Sequence, residues 1–89
     1  MKITFDHAKD IGNQAKHGLS LAFAENVDWS EVWSYVDERF DYQELREVGY
    51  SLIDGRLYCV VFTQRGNVMQ IISMRKANRR EVKRYEDET

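Results

Sequence analysis

The sequence predicts a small α+β domain: a strand, two helices, a three-stranded antiparallel meander and a C-terminal helix. Three observations predict it. Asp54-Gly55 stands between two runs of alternating apolar residues, the two-residue signal for a tight β-hairpin. Between residues 6 and 27, capping residues precede apolar positions at helical spacing. Residues 77–86 divide into an arc of cations and an arc holding Asn78, Val82 and Tyr85, as in a helix lying on a surface.

Residues 2–5 are apolar at alternate positions and fit a first strand. Asp6 offers an N-cap oxygen to a helix whose Ala8, Ile11, Gly12 and Ala15 fall on one side, the side expected to face the core. Gly18 supplies the left-handed residue that ends it. Ser20 caps a second, short helix through Leu21, Ala24 and Val27. Residues 28–45 alternate aromatic and acidic side chains and are compatible with a strand near 32–36. Residues 46–53 and 56–64 form the hairpin, with Leu52 opposite Leu57, Tyr50 opposite Cys59 and Val48 opposite Val61. Those six side chains are expected to face the core. Glu47, Gly49, Ser51, Arg56, Tyr58 and Phe62 then share the other, mixed polar and aromatic face. A second turn at Arg65-Gly66-Asn67 leads into residues 68–74, with its register, and so the face of Gln70, open by one residue.

The 89 residues, 43% hydrophobic and 31% charged, fit one domain over 1–89 and exclude disorder. There is no proline, repeat or low-complexity tract to mark a linker. No apolar run reaches membrane-span length and no signal-peptide pattern opens the chain, so a membrane role is not expected. Cys59, the single cysteine, lies within an apolar run and reads as a reduced core thiol suited to the cytoplasm.

A net charge of −2 conceals a segregated distribution. Residues 25–54 carry a net −7, whereas residues 75–84 carry six cations against Glu81. A basic segment of that density is suited to phosphate, or to an acidic partner, although charged faces of terminal helices also simply meet solvent.

Several short patterns resemble the BrnT family of toxins, which pair with BrnA antitoxins. They are Phe5-Asp6, Ala8-Lys9, Asn13 and Lys16-His17-Gly18 with Leu19-Ser20; Asp41-Tyr42 with Glu44 and Arg46; Asp54-Gly55-Arg56-Leu57; residues 60–63 with Arg65-Gly66; Ile71-Ile72-Ser73 with Arg75-Lys76-Ala77; and Glu81 with Tyr85. The resemblance implies a ribonuclease with a RelE-like fold that cuts RNA, inhibits translation and is neutralised by a ribbon-helix-helix antitoxin. The toxin itself is not expected to bind specific DNA. Two residues depart from the family pattern: Gln43 replaces a usual glycine, and Gln70 replaces an arginine common before Ile-Ile-Ser.

Cutting RNA without metal requires a base for the 2′-OH, cations for the phosphorane charge and an acid for the departing 5′-oxygen. His17 is the proton-transfer candidate because imidazole titrates near neutrality. Lys16, Arg65 and Arg75 complete the candidate catalytic set, with guanidinium groups suited to bidentate phosphate contact. Arg56, Lys76, Arg79, Arg80, Lys83 and Arg84 are candidate RNA contacts. A histidine at a helix C-terminus is also explained by the helix dipole. Trp29, Trp33 and Tyr35 suit base stacking, antitoxin docking or core packing. No residue set has metal-ligand spacing, and no phosphate loop or serine nucleophile motif is present, so no cofactor is expected. The main expectation is an endoribonuclease toxin. The alternative is a non-catalytic module of the same fold that binds an antitoxin or RNA.

Overall fold

The computed structural model describes residues 1–39 and 43–89. Asp41-Tyr42 of the family pattern, with Phe40, lies outside the described residues. In chain order the elements are β1 (Lys2–Phe5), α1 (His7–His17), two 3-10 helices (Leu21–Asn26 and Trp29–Glu31), β2 (Trp33–Val36), β3 (Glu47–Ile53), β4 (Arg56–Arg65), β5 (Val68–Lys76) and α2 (Arg79–Glu88). They build one sheet in the order β1-β5-β4-β3-β2. β1 runs parallel to β5 and the other neighbours are antiparallel.

Among the described residues the sheet has five strands, one more than the predicted lone strand and three-stranded meander, the addition being the strand that the sequence allows near 32–36. Trp33–Val36 joins β3 at one edge and β1 joins β5 at the other. The expected second helix is a 3-10 helix, capped by the Ser20 hydroxyl, which accepts from the Ala22 N–H.

Turn chemistry fixes the register. Asp54 (φ 50°) and Gly55 (φ 78°) both take the left-handed conformation that a type I′ hairpin demands. The pairs Leu52↔Leu57, Tyr50↔Cys59 and Val48↔Val61 follow as predicted. Between β4 and β5 the register shifts: Val61 opposes Ser73 and Phe62 opposes Ile71, which leaves Ile72 as an extra residue. The bulge reverses the alternation on β5, so Met69, Ile71 and Met74 all enter one core. The turn pairs Arg65 with Val68 and so settles Gln70, which lies opposite Thr63.

The expected division into a core face and a mixed face is corrected, because both faces carry apolar clusters. The larger cluster lies on the face assigned to the mixture. There Ile53, Val60, Phe62, Met69, Ile71 and Met74 pack under Leu21, Ala24 and Val27. Gly49 makes room for it, since a Cβ there would sit 2.8 Å from the Val32 side chain and 3.0 Å from that of Phe62. The smaller cluster gathers Val48, Tyr50, Leu57, Cys59 and Ala77 beneath Val82 and Tyr85 of α2. Leu52 at its end is exposed.

The inward face of α1 is a second correction. Ile11 is 57% exposed, and Ala8, Gly12 and Ala15 also face out, whereas Asp10 and Asn13 are buried. The reason is where the helix docks. β1 ends opposite Ile71, and α1 takes over beside the remainder of β5, where backbone groups need hydrogen bonds rather than apolar cover. The Asn13 amide donates to the Met74 carbonyl (2.8 Å) and accepts from the Met74 N–H (3.2 Å), completing the ladder as a strand would. Asp10 accepts from Leu21 N–H (2.7 Å) and the Ser20 hydroxyl (2.9 Å). The Leu21 N–H above all holds its carboxyl below the usual range.

Candidate active site

α2 covers only one end of its sheet face. Asn78 and Glu81 cap its first turn reciprocally, each side chain bonding the other's backbone N–H at 2.9 Å. The Glu81 carboxylate also binds the Arg75 guanidinium in a fork, Nη1 to Oε1 at 2.7 Å and Nη2 to Oε2 at 2.8 Å. The Tyr50 hydroxyl donates to Oε2 at 2.9 Å. With these partners, Arg75 first, Glu81 titrates at about 2. Burial beside Glu81 pushes the Tyr50 phenol up, and burial does the same to the Cys59 thiol. Arg75 thereby clips α2 onto β5 and β3.

Beyond the clip the face is open. A hollow of about 460 Å³ is lined by Tyr35, Asp37, Val48, Tyr50, Val61, Arg75 and Glu81. A second, of about 290 Å³, is lined by Lys9, Glu44, Arg46, Thr63, Arg65 and Gln70. Val61 and Thr63 are successive same-face positions on β4, about 7 Å apart, so the hollows lie side by side. Along this edge runs α1, placing Lys9 at the second hollow and His17 within the field of Arg75. Partial desolvation, then Lys16, then Arg75 hold the His17 imidazole below its ordinary value. It is therefore mostly neutral at neutral pH, the form that accepts a proton.

Lys16, His17 and Arg75 are brought together electrostatically. Arg65 is not with them: it lies six residues beyond Cys59, the partner of Arg75, about 20 Å along β4. There its Nε bonds Glu44 Oε2 at 2.7 Å and its Nη2 bonds Oε1, which lowers the Glu44 carboxyl and raises the guanidinium. Arg56 and Lys76 alternate to the opposite sheet face, with Val60 and Met74. Arg79, Arg80 and Lys83 form an exposed basic surface, Lys83 pairing loosely with Asp87 at 3.7 Å. Arg84 instead folds over the rings of Tyr35 (4.6 Å) and Trp33 (5.4 Å). Trp29 packs edge-on against buried Phe62. Among the described residues no group of three or more His, Cys, Asp or Glu is arranged to hold a metal ion.

Residues 5–81 match the family described as the ribonuclease toxin, BrnT, of type II toxin-antitoxin systems. The chain belongs to the BrnT family. Among curated proteins none matches it. The matched range includes α1, the strands β2 to β5 and the Glu81 clip, takes in only Phe5 of β1, and leaves Lys83 and Arg84 beyond its end. A type II family implies a ribonuclease held in check by a protein antitoxin. Lys9, Glu44 and Arg46 entered the family pattern without a role, and the fold gathers them at one hollow with Arg65. The Glu81–Tyr50 half of the clip has no counterpart in sequence spacing, because 31 residues separate the pair. Among the described residues no helix is long and apolar enough to cross a membrane.

Proposed function

We propose that this protein is a metal-independent endoribonuclease toxin that acts on RNA in the cytoplasm, inhibits translation and is silenced by a BrnA-like ribbon-helix-helix antitoxin, in a RelE-like manner. The supporting observation is the His17 imidazole, depressed by partial desolvation and by Lys16 and Arg75, where Arg75 also lines the sheet face that α2 leaves partly open. His17 takes the proton of the 2′-OH, and the 2′-oxygen attacks the adjacent phosphorus. The bond to the 5′-oxygen breaks, leaving a 2′,3′-cyclic phosphate, and Lys16 supplies the proton that the leaving oxygen needs. Arg75 sets the field at His17 from its clipped position. Arg65 with its neighbours, and the basic face of Arg79, Arg80 and Lys83, attract the polyanion. An acidic antitoxin segment covering Lys76, Arg79, Arg80 and Lys83 and occluding Lys16 and His17 accounts for silencing, because the field that draws phosphate also draws carboxylates.

The test is cleavage of a defined RNA by purified protein, with and without EDTA. Cleavage is expected to survive EDTA and to fall about 10²-fold or more in His17→Ala. Loss in EDTA refutes metal independence, and full activity of His17→Ala removes His17 from the reaction. Because His17 is held below its ordinary value, activity should persist somewhat below pH 6.5 and fall as the imidazole protonates; a profile flat to pH 4 contradicts that role. Gln70, where an arginine is common in the family, favours a second reading, a module that binds RNA or antitoxin without cutting. Tight RNA binding with no cleavage under any condition selects it.

A further inference from the structure

The second hollow has no part in the proton transfer assigned to His17, and its composition is unusual for so small a space. Lys9, Arg46 and Arg65 meet one carboxylate, Glu44, around a floor that includes the Thr63 hydroxyl and the Gln70 amide. Glu44 takes Nε and Nη2 of Arg65 and so fixes the guanidinium, while Nη1 is not among the donors it uses. Lys9 makes no ion pair among the described residues. Among the described residues the lining therefore sets Lys9 and neutral groups that both donate and accept beside the Arg65–Glu44 pair.

Lys9 and Lys16 are seven residues apart on α1, which places them on one helical face two turns, about 10 Å, apart. At about 3.4 Å per stacked nucleotide this spans two to three nucleotides. A single strand with evenly spaced charges suits such a row, and a floor of amide and hydroxyl suits the sugar and base edge that accompany each phosphate.

We infer that the hollow at Lys9, Arg46, Arg65, Thr63 and Gln70 is a phosphate-anchoring subsite for single-stranded RNA, entered at Lys9 two to three nucleotides from Lys16 at the reacting end, and that the strand lies along α1 over the open sheet face. This rests on the reading of the protein as an RNA-cutting enzyme with His17 at the reacting end. The strand engages the hollow only when it is long enough to reach it, so Lys9 governs the binding of long strands and not of the shortest.

The experiment uses 2′-O-methyl oligonucleotides of two and of eight residues, which cannot be cut, with the full chain and with Lys9→Gln and Gln70→Glu. Affinity is followed against salt, and folding is confirmed by circular dichroism. For the eight-residue strand Lys9→Gln is expected to weaken binding several-fold and to reduce the slope of log affinity against log salt by about 0.7, one phosphate's worth. Gln70→Glu should weaken it further by placing a carboxylate on the floor. The two-residue strand should be indifferent to both changes. Equal loss with both lengths overturns the inference by placing Lys9 at the reacting end. An unchanged slope with both variants folded overturns it too, as does a loss of antitoxin binding alone. If wild-type protein cuts RNA in the cleavage assay while these variants bind normally, the subsite falls and the enzyme stands. If wild type neither binds nor cuts, both fall.

Discussion

Val61 and Phe62 are adjacent on β4 and point to opposite faces of the sheet, where they meet different surroundings. Phe62 is buried against Trp29 in a cluster closed by the first 3-10 helix. Val61 is half-buried on the floor of a face that α2 covers at one end only. Stability is concentrated on the first face. The second divides its residues between a clip that holds a helix and an open stretch edged by cations. The proposed site lies on the face that is left unfinished.

The largest effect should separate the faces directly. Phe62→Ala is expected to cost about 3–5 kcal/mol, the range for a buried aromatic truncation, and Val61→Ala about 1 kcal/mol, in urea denaturation. Equal losses would remove the contrast. Next, Asn13→Ala strands both backbone groups of Met74 in a buried setting and should cost about 2–3 kcal/mol. If Ile11→Ala costs as much, α1 docks through the apolar side that the sequence suggested.

A third measurement sharpens the clip. Glu81 titrates at about 2, below the ordinary value of 4.5, so its contribution is complete above 4.5 and is lost as pH falls from there toward 2. Stability should decline over that window by on the order of 2 kcal/mol beyond the decline shown by Glu81→Gln. Coincident acid profiles for the two proteins would dissociate the pair. Smallest of all, Arg84→Gln should cost about 0.5–1 kcal/mol through its stacking on Tyr35 and Trp33 and shift tryptophan emission. It should leave RNA affinity less affected than Arg80→Gln; the reverse order would put Arg84 on the nucleic-acid side.

Features set by local chemistry were legible in the sequence: the Asp54-Gly55 hairpin and its register, the caps at Asp6, Ser20 and Gly18, and the proximity of Lys16 to His17. Features set by tertiary placement were not. Ala8, Ile11, Gly12 and Ala15 have helical spacing, but α1 docks on a strand edge, where Asn13 and Asp10 are the residues that fit. The bulge at Ile72, which decides the faces of Met74 and Arg75, depends on pairing between two strands and not on either alone. The gathering of Lys9, Glu44, Arg46 and Arg65 requires α1, the segment before β3 and the end of β4 to converge. The matched pattern marked these positions, and only the fold gives them a common place.

The parallel pairing of β1 with β5 joins Lys2 to Val68, so it closes a loop that spans most of the chain. Such closure is slow relative to the hairpins of β3, β4 and β5, whose partners are near in sequence. Lys9, Lys16 and His17 ride on the helix that immediately follows β1. A chain with its hairpins formed and its first strand undocked holds Arg75 but has no imidazole beside it. On the proposed role of His17, toxicity is a property of the finished topology: a nascent or partly unfolded copy is expected to be harmless, and a change that loosens β1 is expected to disarm the protein before it unfolds the rest.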